Sequence, residues 1–198
     1  ELASCSLGQS VQISPIHMIS AIAAIANGGK LMTPYFVASM LDEDGNTIYE
    51  TKPTVKRQVI SKSTATKVSQ MMEAVVSGGT AKNAYVAGYR VAGKTGTSQK
   101  LTNEGQYIGS FVGFAPEDDP QIAVLIVIDE PQTATYGGTV AAPAAAEVIE
   151  KTLVYLGVEP EYTDEELAKL DVKTGNYVGQ SVASAKKKIG RASCRERV

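Results

Sequence analysis

The sequence is short of the residues that bind metals and nucleic acids. Among 198 residues there is one histidine, His17, and there are two cysteines, Cys5 and Cys194. No His/Cys cluster offers metal ligands at a useful spacing, and no cofactor is expected. Lys and Arg number 19 against 21 Asp and Glu, a formal net charge of −2, so there is no electrostatic case for nucleic acid. No apolar run approaches the ~18 residues of a membrane-spanning helix. The longest, Met18–Ala26 and Ile122–Ile128, are core-sized. There is neither an initiator Met nor a signal peptide, and the start at Glu1 reads as a cut.

What remains is a globular composition, 43% hydrophobic and 20% charged. The length suits one domain with a real core, or one domain plus a small appendage. The last ten residues, Ile189–Val198, change character abruptly. They resemble the translation of a sequencing-adapter oligonucleotide and are set apart from the fold. With them go Arg191, Arg195, Arg197, Glu196 and Cys194, which leaves Cys5 without an internal disulfide partner.

Helices and strands alternate along the rest. Ser14-Pro15 opens a helix whose apolar face is Ile16, Ile19, Ala23 and Ala26, and Asn27-Gly28-Gly29 ends it. Tyr35–Leu41 and Thr47–Thr51 read as strands around the Asp42–Asn46 turn. A second helix follows Ser61 or Ser63, with Val68, Met71, Met72 and Val75 at helical spacing and Gly78-Gly79 as its stop. Tyr89–Thr97 is a strand, and Tyr107–Ala115 and Gln121–Ile128 form a hairpin. Ile122–Ile128 is apolar at every position, which predicts cover on both faces. The helix after Pro143 can supply one cover and the helix at 15–26 the other. The expected fold is α/β (α+β), an antiparallel sheet between helical layers over residues 1–158. An acidic linker follows at 159–171, and a partial second module at 172–188.

The chemistry concentrates in Val91-Ala92-Gly93-Lys94-Thr95-Gly96-Thr97-Ser98. Lys94 supplies a cation. Thr95 and Thr97 alternate onto one strand face, where both hydroxyls can bond a substrate carboxylate. Gly96 leaves the strand bare, so that an extended peptide can pair with its edge. The backbone N–H of Thr97 can stabilise an oxyanion. A second Lys-Thr-Gly, Lys173-Thr174-Gly175, follows the linker without a flanking strand and is read as incidental. His17 reads as a surface or packing residue, and Tyr136-Gly137-Gly138 as a plain turn, with a loop over the cleft edge as the other reading. Gly109, Ser110 and Gly113 keep the neighbouring strand slim or simply fit its packing.

Leu7-Gly8-Gln9-Ser10 with Ser14-Pro15, Asn27-Gly28-Gly29, Val91–Thr97 and Phe111-Val112-Gly113-Phe114-Ala115-Pro116 stand in the order seen in class B penicillin-binding proteins. Residues 1–158 resemble the C-terminal part of their transpeptidase domain, with its penicillin-recognising, β-lactamase-like fold, and most closely the sporulation and division group. Residues 172–188 resemble the start of a PASTA module through Tyr177-Val178-Gly179-Gln180-Ser181 and Ala185-Lys186-Lys187.

The resemblance implies a D,D-transpeptidase. A serine of an S-x-x-K motif attacks the D-Ala-D-Ala bond of a peptidoglycan stem peptide, D-Ala leaves, and a second stem's amine resolves the acyl-enzyme. β-Lactams trap that ester. The implied partners are stem peptides, β-lactam antibiotics and other cell-wall synthesis proteins, at the extracytoplasmic face of the cell membrane. The family's K-T-G motif, which binds the carboxylate, maps onto Lys94, Thr95, Gly96 and Thr97. Its S-x-N motif has no counterpart here, and the one Ser-x-x-Lys, Ser184 to Lys187, lies after the K-T-G strand instead of before it. The nucleophile and its lysine are therefore expected upstream, and this chain alone is expected to be inactive. The family's strand beside Ile122–Ile128 is expected to be missing too, which exposes an apolar edge. Other readings are a D,D-carboxypeptidase or serine β-lactamase, or a β-lactam sensor or wall-binding module without turnover.

Overall fold

A computed structural model describes residues 11–100 and 105–169, together with Ala3, Gly8, Ser181 and Ser184. Lys173-Thr174-Gly175, Cys5 and the tail from 189 lie outside the described residues, as does most of 172–188. The chain divides into two compact units, Glu1–Glu161 and Tyr162–Val198. In the second, the described structure is mainly a short helix, Asp164–Lys169. Glu166 at its start accepts from the Thr163 N–H at 2.7 Å.

In the first unit, helix α1 (Pro15–Ala26) starts where the Ser-Pro pair places it. Ser14 does not cap the helix backbone through its side chain. Its hydroxyl instead meets His17 Nδ1 at 2.7 Å, which ties the sole histidine to the helix start. Gly28 and Gly29 then take φ of 63° and 85°, the left-handed region open to glycine, and turn the chain out of the helix. Helix α2 (Lys62–Ser77) is capped by Ser61, whose Oγ accepts from the Thr64 N–H at 3.1 Å.

Four short strands lie between these helices: β1 (Lys30–Met32), β2 (Ser39–Leu41), β3 (Thr47–Glu50) and β4 (Val55–Gln58). β2 and β3 form the expected hairpin, and Asp42 Oδ1 closes its turn by accepting from the Asp44 and Asn46 N–H groups. Only the end of the predicted 35–41 strand is regular. β1 and β4 were not anticipated; they pair antiparallel across the hairpin between them.

The main sheet is β5 (Ala92–Gln99), β6 (Tyr107–Ala115) and β7 (Ile122–Asp129), antiparallel and in that order. β5 begins three residues later than the sequence suggests. Tyr89 instead turns back to bridge Val86, and its hydroxyl donates to the Val158 carbonyl at 2.9 Å. Helix α4 (Ala142–Tyr155), preceded by a single helical turn α3 (Gly137–Val140), covers one face. There Phe111 and Val124 pack with Ala141, Ala145, Ile149 and Leu153, all buried. On the other face Ala92 and Phe114 meet Met72 of α2, with Ile22 and Ile25 of α1 packed against them. This is the layered arrangement expected from the uninterrupted apolar run in β7.

Candidate functional site

Register fixes which parts of β5 face where. Gly96 pairs with Ser110 and Thr97 with Gly109. Just beyond the strand, the Lys100 N–H donates to the Gln106 carbonyl at 2.8 Å. Antiparallel pairs alternate between bonded and non-bonded, so Lys94, Gly96 and Ser98 spend their backbone groups on β6. The N–H and C=O groups of Thr95 and Thr97 then point to the outer edge, and no described strand pairs with it.

The same alternation separates the side chains. Thr95 and Thr97 share the face covered by α3 and α4. Thr95 Oγ1 lies 3.4 Å from Thr80 Oγ1, and Thr97 Oγ1 accepts from the Gly137 N–H at 3.1 Å. Lys94 stands on the opposite face but reaches around the strand, and its Nζ donates to the outward carbonyl of Thr95 at 2.7 Å. Lys94 Nζ thus reaches the outer edge, while the two threonine hydroxyls are held on the face beneath Thr80 and Gly137.

Ion pairing distinguishes the two lysines of this strand and its end. Lys100, at the end of the strand, is held by Asp129 at 2.7 Å and by Glu130. Its hydrogen bonds to those carboxylates, first to Asp129, raise its pKa. Lys94 is exposed and has no ion pair among the described residues. The edge therefore presents an uncompensated cation, suited to an anion.

Glycines let the surrounding backbone approach this strand. A Cβ on Gly96 would fall 2.6 Å from Ser110 Oγ, so this glycine makes room for the neighbouring serine. One on Gly137 would collide with the Gly96 and Ser110 carbonyl oxygens, and one on Gly138 would fall 2.5 Å from the Thr80 carbonyl oxygen. Tyr136-Gly137-Gly138 is therefore more than a plain turn, because it sits directly on the paired backbone of β5 and β6. Asn83 fastens it further, donating from Nδ2 to the Gly138 carbonyl at 2.7 Å. Thr80 and Asn83 were not anticipated. The Gly-Gly pair was the only sequence signal for the contacts of Thr80 and Asn83 to Gly138, which join segments more than fifty residues apart.

Among the described residues no His, Cys, Asp and Glu group could hold a metal ion. A cleft of about 330 Å³, lined by Arg90, Asp118, Asp119 and Glu159 among others, shares no residue with the Lys94–Thr97 strand. Ser184, the first residue of the misplaced Ser-x-x-Lys, belongs to the second unit, where its N–H donates to Ser181 Oγ at 3.3 Å.

The penicillin binding protein transpeptidase domain family matches residues 1–150. Stage V sporulation protein D of Bacillus subtilis is 41% identical over 194 residues, 92% of this chain and 30% of that protein. The transpeptidase domain of Burkholderia pseudomallei penicillin-binding protein 3 superposes with a TM-score of 0.67 at 37% identity, covering 81% of this chain and 48% of the other. Penicillin-binding protein A of Mycobacterium tuberculosis, solved as a ceftriaxone acyl-enzyme complex, gives 0.71 at 30% identity, over 77% of this chain and 35% of the other. The chain thus spans less than half the length of each of these relatives.

Proposed function

The chain belongs to the penicillin-binding protein transpeptidase family, and we propose that its β5 edge is the substrate wall of a peptidoglycan D,D-transpeptidase whose nucleophile lies in preceding sequence. The observation that carries this is the outer edge of β5, which no described strand pairs and which Lys94 reaches from the same strand that carries Thr95 and Thr97.

The geometry supports the following roles. Lys94 and the two hydroxyls hold the C-terminal carboxylate of a stem peptide, or the carboxylate of a β-lactam that mimics it. The outward N–H of Thr97 bonds the oxyanion formed as a serine adds to the D-Ala-D-Ala carbonyl. Collapse of that intermediate breaks the amide and releases D-Ala with a proton on its amine. A neighbouring stem's amine then displaces the serine and forms the crosslink. The chain itself has no S-x-N, and its only Ser-x-x-Lys is Ser184 to Lys187. By itself it is therefore expected to be inactive. Among the described residues no helix is long and apolar enough to cross a membrane. Placement at the extracytoplasmic membrane face rests on the family. The start of a PASTA module at 172–188 rests on its residue pattern.

Labelling the full-length gene product with a fluorescent penicillin tests the reading. A covalent label that unlabelled penicillin blocks is expected, with D-Ala release from a stem pentapeptide. Label without release identifies a sensor, and release without crosslinking a carboxypeptidase. A protein that takes no label is not a penicillin-binding enzyme.

A further inference from the structure

The Thr97 hydroxyl is set by a relay that begins at an exposed side chain. Asn83, in the short 3-10 turn Lys82–Ala84, donates to the Gly138 carbonyl at 2.7 Å. The neighbouring Gly137 N–H donates to Thr97 Oγ1 at 3.1 Å. Little slack separates these two bonds. Gly137 lies against the Gly96 and Ser110 carbonyls, and Gly138 against the Thr80 carbonyl and the Thr95 methyl, all closer than a Cβ would permit or within its contact distance. A small displacement of the Gly138 carbonyl therefore moves the Gly137 N–H.

The bond to Thr97 has a chemical consequence. A hydroxyl has one hydrogen and two lone pairs. Once a lone pair accepts the Gly137 N–H, the rotamer is fixed and the hydroxyl is polarised towards giving its own hydrogen away. An anion is the acceptor such a donor suits, and Lys94 reaches the same edge.

We propose that Asn83 is a positioning residue for the substrate carboxylate, acting through Gly138 and Gly137 on the Thr97 hydroxyl. The proposal rests on the reading of β5 as the substrate wall. Asn83 does not touch substrate, and it is exposed, so its replacement leaves the core intact.

The test measures the second-order rate of acylation of the full-length protein by a fluorescent penicillin. Wild type is compared with Asn83→Ala, with Asn83→Asp, which keeps the shape but loses the donor, with Thr97→Val, and with the Asn83→Ala/Thr97→Val pair. Both Asn83 variants are expected to slow acylation about five- to tenfold, the effect of one hydrogen bond, with the unfolding midpoint unchanged. In the Thr97→Val background, Asn83→Ala is expected to cost nothing further, because its only route is already cut. A merely structural role would instead slow both backgrounds alike. Asn83 variants as fast as wild type, or losses that multiply with Thr97→Val, overturn the proposal. An unlabelled wild type overturns the functional reading and this inference with it, a failure visible before any variant is made.

Discussion

At the scale of single residues, the β5 edge depends on two kinds of side chain, one charged and one absent. Lys94 is a cation that no carboxylate among the described residues neutralises, unlike Lys100 at the end of the strand. Replacing it with Met keeps the apolar stem and removes the charge. A charge-assisted hydrogen bond contributes about 1.5–3 kcal/mol, so penicillin acylation of the full-length protein is expected to fall about 10- to 100-fold, read by labelling kinetics. Gly137 is the counterpart, since a methyl there collides with the Gly96 and Ser110 carbonyls. Gly137→Ala is expected to lower stability by about 1–3 kcal/mol in urea denaturation, the usual cost of forcing atoms into a packed site. An unchanged midpoint would show that the turn can lift off the strand. Lys94, Thr95 and Thr97 were readable as residues of one strand because one short motif holds them. Thr80 and Asn83 were not, because their contacts to Thr95 and Gly138 are made across the fold and follow no period.

At the scale of elements, Arg90 fastens helix α2 to the β6–β7 turn. Its guanidinium meets Glu73 and Glu117, each at 2.8 Å, and Asp118 at 3.6 Å. The hydrogen bonds to Glu73, ahead of the charges of Glu117 and Asp118, raise its pKa further, so it stays charged at any working pH. The Glu117 side chain is only 7% exposed and Arg90 is 45% exposed, so Glu117 carries most of the burial. Arg90→Met strands that carboxylate, and a loss of about 1–3 kcal/mol in unfolding free energy is expected, measured by denaturant titration. Helix α1 was legible because Ser14-Pro15 and Gly28-Gly29 bracket an apolar period. β1 and β4 were not. Val55–Gln58 is exposed throughout and Lys30–Met32 is only partly buried, so neither shows alternation, and their pairing depends on the hairpin that brings them together.

At the scale of the whole molecule, the sheet has two edges that pair with no described strand, the one along β5 that we propose for substrate and another along β7. Val127 on β7 is 48% exposed. Unpaired apolar edges recruit further strands. The chain expressed by itself is expected to self-associate, and Val127→Lys to shift it towards monomer in sedimentation velocity. A wild-type preparation that is monomeric and unfolds cooperatively would rule out an adhesive edge. The two-sided cover of β7 was legible in its unbroken apolar run, because each face of that strand meets a different helix.

The seating of Gly137 on the β5–β6 backbone also bears on drug resistance. On the proposed function, a bacterium escapes a β-lactam by altering its target while still accepting its own stem peptide. Gly137 offers no such route, because its contacts are to main-chain oxygens that no substitution can trim. Variants selected by antibiotic pressure are therefore expected to gather at exposed positions such as Tyr136. An inhibitor that takes its grip from the β5 backbone would leave the organism fewer escape mutations than one that leans on the side chains around it.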